Sequence, residues 1–231
     1  MTGSTPGAFA SRVLQEAHLF SGIDEAAVAG LARAGRFRRL AKGQILFSQG
    51  DPSDDFYVVA SGRIALLLGS ADGRELVINQ MNPGEGFGEL GLLTGGRRST
   101  SAVARQPTVV IAIPRREFLA AVEAQPSLAR RLLETTAQRL DAASDREGAL
   151  AFLAAPARLA RVLLLLDRQA AAEGFVTISQ EELAQHTGLV RQSVASLLGQ
   201  WRRRGWVVTG RGRIVLLDRT ALRSQAEGDQ P

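Results

Sequence analysis

Cysteine is absent from this chain, histidine occurs twice, and one of the 28 basic residues is a lysine, Lys42, while all the others are arginines. The absence of cysteine excludes disulfides, thiolate metal sites and cysteine nucleophiles. His18 and His186 are far apart in the sequence, which gives no support for a metal cluster or for a Ser-His-Asp arrangement. We therefore predict that the protein holds no metal and is not an enzyme.

Long apolar runs are also missing. Hydrophobic residues make up 45% of the chain, but no run approaches the ~20 residues that a membrane-spanning helix needs. Residues 1–10 lack the basic start and the apolar core of a secretory signal. These two absences predict a cytoplasmic protein without membrane contacts.

Acidic residues are scarce in one part of the chain. Residues 1–150 hold 17 basic and 16 acidic side chains, whereas residues 151–231 hold 11 and 7. Eight arginines fall between Arg191 and Arg223, together with one acidic residue, Asp218. An excess of this kind is the electrostatic footprint of nucleic-acid binding. A solvated basic face is the alternative.

The stretch Gly86 to Ala104, GFGELGLLTGGRRSTSAVA, has the composition of an anion site. A short helix that begins near Gly88 would direct free N-H groups at an anion, and Arg98 could clamp it with a planar fork of donors. Glu89 would repel a phosphate but could accept a hydrogen bond from a neighbouring hydroxyl, such as a ribose 2'-OH. The stretch therefore predicts a phosphate site beside a sugar-hydroxyl site, with a plain strand-turn-strand as the alternative.

Periodicity divides the chain into three parts. From Phe37 to Ile113, short apolar strands are separated by turn signals, and Asp72-Gly73 is a hairpin signal, so we predict a barrel or roll. Pro126 begins a predicted helix of about 26 residues that ends near Leu153, about 39 Å long at 1.5 Å per residue. On this helix a seam of residues at three- and four-residue spacing favours pairing with a second helix. Its members are Leu133, Thr136, Leu140, Ala143, Glu147 and Leu150. Packing only against its own roll is the alternative.

The last part contains a helix-turn-helix pattern, ISQEELAQHTGLVRQSVASLLGQWRRRGWV. Ser179 is placed to cap the first helix, and small or apolar residues stand where the two helices would pack. A Gly210-Arg211-Gly212 turn between two short apolar runs predicts a wing. We expect Trp201 and Trp206 to pack the core of this winged domain, not to stack on bases. The segment from Ala154 to Ala157 is predicted to be a hinge before it.

These motifs together resemble a known family. Gly86 to Ala104 resembles the phosphate-binding cassette of cyclic-nucleotide-binding domains, whose pattern is F-G-E-L-(A/G)-L, a short loop and R-(S/T/A)-(A/T). From about Phe20 to the C-terminus, the chain resembles the CRP/FNR family of bacterial transcription regulators. The resemblance implies an α+β fold with three parts: a cyclic-nucleotide-binding, jelly-roll-like β-roll in residues 1–125, a dimerisation helix in residues 126–153, and a winged helix-turn-helix DNA-binding domain in residues 154–231.

The resemblance also implies a nucleotide site. Glu89 would take the ribose 2'-OH, Arg98 and Ser99 the cyclic phosphate, and Arg139 would reach Glu89. Cyclic-AMP-responsive members carry a Thr-Ser pair that meets the purine, and Ala143 and Ser144 stand at those positions here. Because Ala143 has no hydroxyl, cyclic GMP and cyclic AMP both remain candidate effectors. The full set is Gly88, Glu89, Leu90, Arg98, Ser99, Thr100, Arg139, Ala143 and Ser144.

The implied partners are double-stranded DNA with a pseudo-palindromic operator, a second copy of the chain, and RNA polymerase. Arg191, Gln192, Ser193 and Ser196 occupy the family's reading positions, and Arg191 suits guanine whereas Gln192 suits adenine. Arg203 and Arg211 are expected to touch phosphates, as are Arg202 and Arg204. The alternative function is a DNA-binding regulator of the same build that uses no nucleotide.

Overall fold

The computed structural model describes residues 6–170 and 172–228. The chain divides into two compact units, one made of Met1–Ala71 and Val77–Asp141 and the other of Asp72–Leu76 and Ala142–Pro231. Half of the stretch that was inspected for a secretory signal, residues 1–5, lies outside the described residues. Within the described ranges, no helix has both the length and the apolar character needed to cross a membrane.

The first unit surrounds a β-roll with short helices. Its elements are α1 (Pro6–Glu16), a 3-10 turn (His18–Phe20), α2 (Glu25–Ala34), β1 (Arg36–Leu40), β2 (Ile45–Phe47), β3 (Asp55–Ser61), β4 (Ile64–Gly69), β5 (Glu75–Met81), β6 (Gly86–Phe87), α3 (Glu89–Thr94), β7 (Ser101–Ala104), β8 (Thr108–Pro114), α4 (Arg115–Ala124) and the start of α5 (Pro126–Phe152). The side chain of Asp24 accepts a hydrogen bond from the N-H of Ala27 and so caps α2, a role for which aspartate is favoured at a helix N-terminus.

Two four-stranded sheets form the roll, with strand orders β1-β8-β3-β6 and β2-β7-β4-β5. Side chains on β3 alternate between two cores because successive residues of a strand point to opposite faces. Tyr57 and Val59 belong to the core that contains residues of both sheets. Phe56 and Val58 pack instead with α1, α2, α4 and the start of α5. The roll therefore has a filled interior and one face covered by helices.

The second unit is a winged helix-turn-helix. After the end of α5 it contains α6 (Ala155–Gln169), β9 (Val176–Thr177), α7 (Gln180–Thr187), α8 (Arg191–Arg203), β10 (Val207–Gly210), β11 (Arg213–Leu216) and α9 (Arg219–Glu227). The three strands are ordered β10-β11-β9. Trp201 lies in the core of this unit, and the partly buried Trp206 packs against that core with its ring centroid 6.3 Å from that of Trp201. The packing role predicted for both tryptophans is confirmed.

Two expectations about element boundaries are wrong, namely the hinge at Ala154 to Ala157 and a start at Leu189 for the second helix of the helix-turn-helix, and one helix was not expected. Helix α6 begins at Ala155, so most of the expected hinge, Ala154 to Ala157, is helical. Pro156 fits there because backbone N-H groups in the first turn of a helix have no partner within the helix, so the missing N-H of proline breaks no hydrogen bond. Helix α8 begins at Arg191, two residues later than expected, and α9 was not predicted at all.

Candidate functional site

The cassette begins with β6, and the turn that follows this strand requires glycine. Gly88 has a φ of 87°, in the left-handed region. A Cβ atom at Gly88 would lie 2.6 Å from Nη1 of Arg98. Glycine is therefore needed here both for the turn into α3 and for the close approach of the arginine.

Arg98 is buried and its guanidinium is held on three sides. Its relative exposure is 5%. Nη1 donates to the carbonyl of Gly88 over 2.9 Å, and Nη2 donates to the carbonyl of Asp55 over 2.7 Å. The guanidinium carbon lies 4.3 Å from the ring centroid of Phe47. Burial lowers the pKa of Arg98 below its ordinary value, and the nearby Tyr57 and Asp55 oppose that change.

The third nitrogen of this guanidinium has no partner. Nε of Arg98 is buried without a hydrogen-bond partner in the described structure. Most buried donors in proteins are bonded, and a buried donor left unpaired costs roughly 1 to 3 kcal/mol. The residue thus keeps a positive charge and one free donor in the cassette, which is an arrangement suited to an anion.

Glu89 follows Gly88 as the first residue of α3 and is bound by Arg139 from α5. It is 4% exposed, and Nη1 of Arg139 lies 2.7 Å from its Oε1. The second terminal nitrogen, Nη2 of Arg139, donates to the carbonyl of Gly86 over 2.6 Å. The resemblance implies a contact between Arg139 and Glu89, and the structure shows it. Both residues belong to the first unit. Because a carboxylate can accept about four hydrogen bonds, Glu89 retains capacity for a hydroxyl.

A cavity of about 40 Å³ lies between these groups. Six of the nucleotide-site residues expected from the sequence line it, together with three others that were not expected. The nine are Phe47, Leu66, Gly88, Glu89, Leu90, Gly91, Arg98, Ser99 and Thr100. Ligand pockets usually measure about 300 to 1,000 Å³, so a whole nucleotide must open this cavity or extend beyond it.

Ala143 and Ser144 are placed differently from the rest of the expected set. Both lie on α5 after the boundary between the units, which falls at Asp141 and Ala142. Neither is among the residues that line the cavity. The structure therefore brings together Glu89, Arg98, Ser99, Thr100 and Arg139 but leaves the proposed base-reading positions outside this group.

In the second unit, the helix-turn-helix presents the expected reading residues on one exposed face. Ser179 and Glu182 form a complete capping box at the start of α7. Gly188, with a φ of 65°, ends that helix. Along α8, the apolar residues Val194, Leu198 and Trp201 are buried. In the N-terminal half of α8, Arg191 is exposed as the first residue of the helix, Gln192 and Ser196 are exposed, and Ser193 is half-buried.

Basic side chains continue from this face into the wing. Arg202, Arg203 and Arg204 at the end of α8 are exposed, and so is Arg211 in the turn between β10 and β11. No group of three metal-ligating side chains occurs in the part of the chain that the structure describes. The named side chains of α8 and the wing carry guanidinium, amide and hydroxyl groups, which can bind phosphates and base edges.

Comparison with known proteins assigns both units. Residues 37–125 match the cyclic nucleotide-binding domain, and residues 157–225 match the Crp-like helix-turn-helix domain. The cyclic AMP receptor protein of Thermus thermophilus is 36% identical over 192 residues, which are 83% of this chain and 88% of that protein. The chain belongs to the CRP/FNR family of transcription regulators.

Two further proteins align with this CRP/FNR family chain over nearly their whole length. The CRP-like cAMP-activated global transcriptional regulator of Mycobacterium tuberculosis is 28% identical over 220 residues, 93% of this chain and 98% of that protein. The solved structure of FixK2 from Bradyrhizobium japonicum superimposes with a TM-score of 0.72 at 26% identity, covering 83% of this chain and 96% of that one. The predicted α+β fold, with its roll, long helix and winged helix-turn-helix, is confirmed.

Sequence reasoning missed Phe47, Leu66 and Gly91 in the cavity of this CRP/FNR protein. Phe47 lies far from Arg98 in sequence and reaches it because β2 pairs with β7, where Phe47 faces Ala102. Gly91 is constrained by Ser53, since a Cβ at Gly91 would lie 2.6 Å from Oγ of Ser53. The local pattern around Phe47 is that of an ordinary strand, so no signal in the sequence separates it from other core residues.

Proposed function

We propose that this protein is a homodimeric, sequence-specific DNA-binding regulator whose operator affinity is raised by a 3',5'-cyclic nucleotide bound in the cassette. The observation that carries the effector assignment is the buried Arg98, whose Nε finds no hydrogen-bond partner among the described residues while both of its terminal nitrogens are bound to carbonyls. A phosphodiester is the anion that fits this position, because Glu89 can at the same time accept a hydrogen bond from a ribose hydroxyl.

The residues proposed for nucleotide binding have distinct roles. Arg98 and Ser99 bind the cyclic phosphate, the backbone from Gly88 to Leu90 supports it, and Thr100 completes the lining of the cavity. Arg139 holds Glu89 in place for the 2'-OH through their 2.7 Å contact. Ala143 and Ser144 are assigned to the positions that meet the nucleobase. A cyclic nucleotide supplies the phosphate and the hydroxyl that this arrangement requires.

The nucleobase is either guanine or adenine in this proposal. Ala143 offers no side-chain hydrogen bond to an adenine amino group, and the loss of one hydrogen bond in a dry site typically costs about 1 to 3 kcal/mol. That difference corresponds to a tenfold or larger change in affinity. Cyclic GMP is therefore as strong a candidate as cyclic AMP.

Dimerisation is proposed through α5. Leu133 and Leu140 are 72% and 67% exposed, and Leu150 is also exposed, although all three belong to one seam of the helix. Large apolar side chains repeated along a helix usually mark a face that another helix covers. A second copy of the chain, related by a two-fold axis, would cover this seam and place two α8 helices on one DNA site.

DNA recognition is proposed through the N-terminal half of α8. Arg191, Gln192, Ser193 and Ser196 read base edges in the major groove, while Arg203 and Arg211 bind phosphates. A regulator bound at an operator acts on transcription through RNA polymerase, which we include among the proposed partners. The operator is expected to be a pseudo-palindrome because the proposed dimer is two-fold symmetric.

One observation favours a second candidate function, a regulator that uses no nucleotide. The cavity is only about 40 Å³, and two of the three nitrogens of Arg98 are already bound to protein carbonyls. In that case Glu89 and Arg98 would stabilise the roll without binding an effector.

Isothermal titration of the purified protein with cyclic AMP, cyclic GMP and cyclic di-GMP separates the two functions. We expect saturable binding of cyclic GMP or cyclic AMP, followed by tighter binding to operator DNA in its presence. The Arg97→Ala variant is the matched control, because Arg97 is adjacent, exposed and bound to the carbonyl of Gly50. Absence of heat with all three ligands would support the nucleotide-independent function.

A further inference from the structure

Three aromatic rings meet directly beneath the cassette, on strands β2, β3 and β6. The ring centroids of Phe47 and Tyr57 are 5.6 Å apart with planes inclined by 29°. Those of Tyr57 and Phe87 are 5.4 Å apart with planes inclined by 24°. All three residues are buried in the interior of the roll. The ring centroids of Phe47 and Phe87 are also only 6.2 Å apart, so the three rings form one cluster held by strands of both sheets.

The guanidinium of Arg98 lies over two rings of this cluster, those of Phe47 and Tyr57. Its guanidinium carbon is 4.3 Å from the centroid of Phe47 and 5.3 Å from that of Tyr57. A cation above an aromatic face within about 6 Å is attracted by the ring quadrupole, and the attraction is larger where water is excluded. Because Arg98 is 5% exposed, this contact is made in a desolvated place.

The charge of Arg98 is not neutralised by a carboxylate. Within residues 6–170 and 172–228, no ion pair to Arg98 is found, although Asp55 is beside it. Asp55 contributes only its backbone carbonyl, and its side-chain Oδ1 lies 3.2 Å from Nη2 of Arg36. Tyr57, Asp55 and Asp54 still favour the charged form of Arg98 and oppose the lowering of its pKa by burial. Because no carboxylate forms an ion pair with Arg98 in the described ranges, its charge remains available to an incoming anion.

We infer that Phe47 is a positioning residue for anion binding: its ring fixes the plane of the Arg98 guanidinium so that Nε–H is presented to the phosphodiester of a nucleotide entering the cavity. This inference rests on the proposed nucleotide function and adds a residue that the cassette motif does not contain. The carbonyls of Gly88 and Asp55 fix two nitrogens, and Phe47, which is both closer to the guanidinium than Tyr57 and part of the cavity lining, fixes the face. Leucine at this position would keep an apolar side chain but remove the ring face.

The first arm of the test uses the ligand-free protein. The Nε–Hε resonance of Arg98, assigned by its disappearance in Arg98→Lys, should show an upfield ring-current shift in the wild type. In Phe47→Leu that shift should be lost, whereas Phe47→Tyr should retain it. Phe56→Leu is the matched control, since Phe56 is also buried but lies on β3 and stacks on Phe118 at 4.0 Å in the other core. An unchanged resonance in Phe47→Leu would overturn the inference without any ligand.

The second arm measures the phosphate contact. The nucleotide should bind about tenfold more weakly to Phe47→Leu and about equally well to Phe47→Tyr, since a desolvated cation-π contact is of that order. The ratio of affinities for the Rp and Sp phosphorothioate diastereomers of the nucleotide should also fall toward one in Phe47→Leu, because Nε no longer favours one phosphate oxygen. A general loss of packing would weaken both diastereomers alike and would appear in Phe56→Leu as well.

The outcomes separate this inference from the proposed function. If the wild type binds no cyclic nucleotide, the proposed function fails, and the ring-current arm still tests whether the ring of Phe47 faces the guanidinium of Arg98 in solution. If the wild type binds and Phe47→Leu keeps its affinity and its diastereomer ratio, the positioning role is wrong and the proposed function stands.

Discussion

Arg139 donates from Nη1 to Oε1 of Glu89 over 2.7 Å and from Nη2 to the carbonyl of Gly86 over 2.6 Å. One side chain of the long helix α5 therefore binds two points of the cassette, one on either side of Gly88. A ligand hydroxyl that competes with Arg139 for Glu89 therefore also affects the contact between the cassette and α5. In the proposed regulator, this contact provides a direct connection between the effector cavity and the helix that we assign to dimerisation.

Removal of Arg139 should leave a buried carboxylate without its partner. We expect Arg139→Met to lower the free energy of unfolding by about 3 kcal/mol, the usual cost of breaking a buried ion pair from one side. The Glu89→Leu/Arg139→Met double variant should recover part of this loss, because neither charge then remains buried alone. Urea titration measures the change.

The control for this pair is an exposed ion pair on the same helix. Nε of Arg130 lies 3.8 Å from Oε1 of Glu134, and the two side chains are 72% and 49% exposed. Arg130→Met should cost less than about 0.5 kcal/mol, since exposed pairs contribute little. Equal losses in Arg130→Met and Arg139→Met would contradict the structural role given to the Glu89 contact.

Arg98→Ala should abolish detectable cyclic-nucleotide binding, because the phosphate loses the guanidinium that lines the cavity. The variant also leaves the carbonyls of Gly88 and Asp55 without donors, so we expect a stability loss of about 1 to 3 kcal/mol in a chain that still folds and dimerises. Isothermal titration and size-exclusion chromatography check the two parts. Unchanged nucleotide affinity in a folded Arg98→Ala protein would refute the cassette assignment.

Tyr57 gives a ligand-free measure of the same environment, since it is the single tyrosine of the chain. Burial raises the pKa of Tyr57 above its ordinary value of 10.0, Asp55 raises it further, and Arg98 and Arg38 lower it. Removal of Arg98 should therefore raise the pKa again. Ultraviolet titration of tyrosinate in the wild type and in Arg98→Ala measures both values.

The raised pKa of Tyr57 also makes the free energy of unfolding depend on pH. Because the folded-state pKa of Tyr57 lies above the unfolded value, the folded state holds this proton more tightly. The contribution is present in full below pH 10.0 and is lost as the pH rises through the folded-state pKa. Thermal unfolding in alkaline buffers should show that loss in the wild type, and Tyr57→Phe should show less of it.

The sequence predicts local structure well where one short segment decides it. The capping box at Ser179, the Asp24 cap and the glycine turn before Glu89 each depend on residues within four positions of one another, and all three are found. The Phe47 contact with Arg98 could not be predicted, because it depends on the register of β2 against β7. The register of two paired strands decides which residues lie opposite each other, and alternating hydrophobicity alone does not reveal that register.

Helix α9 shows a second limit of local patterns. Its N-cap, Asp218, accepts a hydrogen bond from the N-H of Ala221, but the helix is secured by Arg219, which binds Asp167 of α6 with two hydrogen bonds of 2.8 and 2.9 Å. In the sequence, Arg219 is one of eight arginines in a basic stretch and is read as part of the electrostatic footprint. Only the tertiary contact assigns it to stability.

Ala143→Thr should shift nucleotide preference toward cyclic AMP, because it introduces a hydroxyl that can hydrogen-bond to an adenine amino group. One such bond would change the ratio of affinities for cyclic AMP and cyclic GMP about tenfold. Isothermal titration of both nucleotides against both proteins gives this ratio. If the wild type already prefers cyclic AMP strongly, Ala143 does not discriminate between the bases and the inference fails.

The last prediction concerns DNA. A two-fold dimer with one α8 helix per subunit should bind half-sites about one helical turn apart, roughly 34 Å. Arg191 and Gln192 are exposed at the N-terminal end of α8, where side chains reach base edges, whereas Arg203 is exposed at its C-terminal end. These positions should therefore affect binding in different ways.

Arg191→Ala or Gln192→Ala should relax selection at individual base pairs, at a cost of about 1 to 3 kcal/mol on the preferred operator and little on random DNA. Arg203→Ala should weaken binding to both kinds of DNA and make affinity less dependent on salt, because one fewer phosphate is neutralised. Selection of operators from a random pool, followed by titration at several salt concentrations, compares the three variants. An unchanged consensus for Gln192→Ala would show that Gln192 does not lie in the groove, and a base-specific change for Arg203→Ala would reverse the assignment of the two ends of α8.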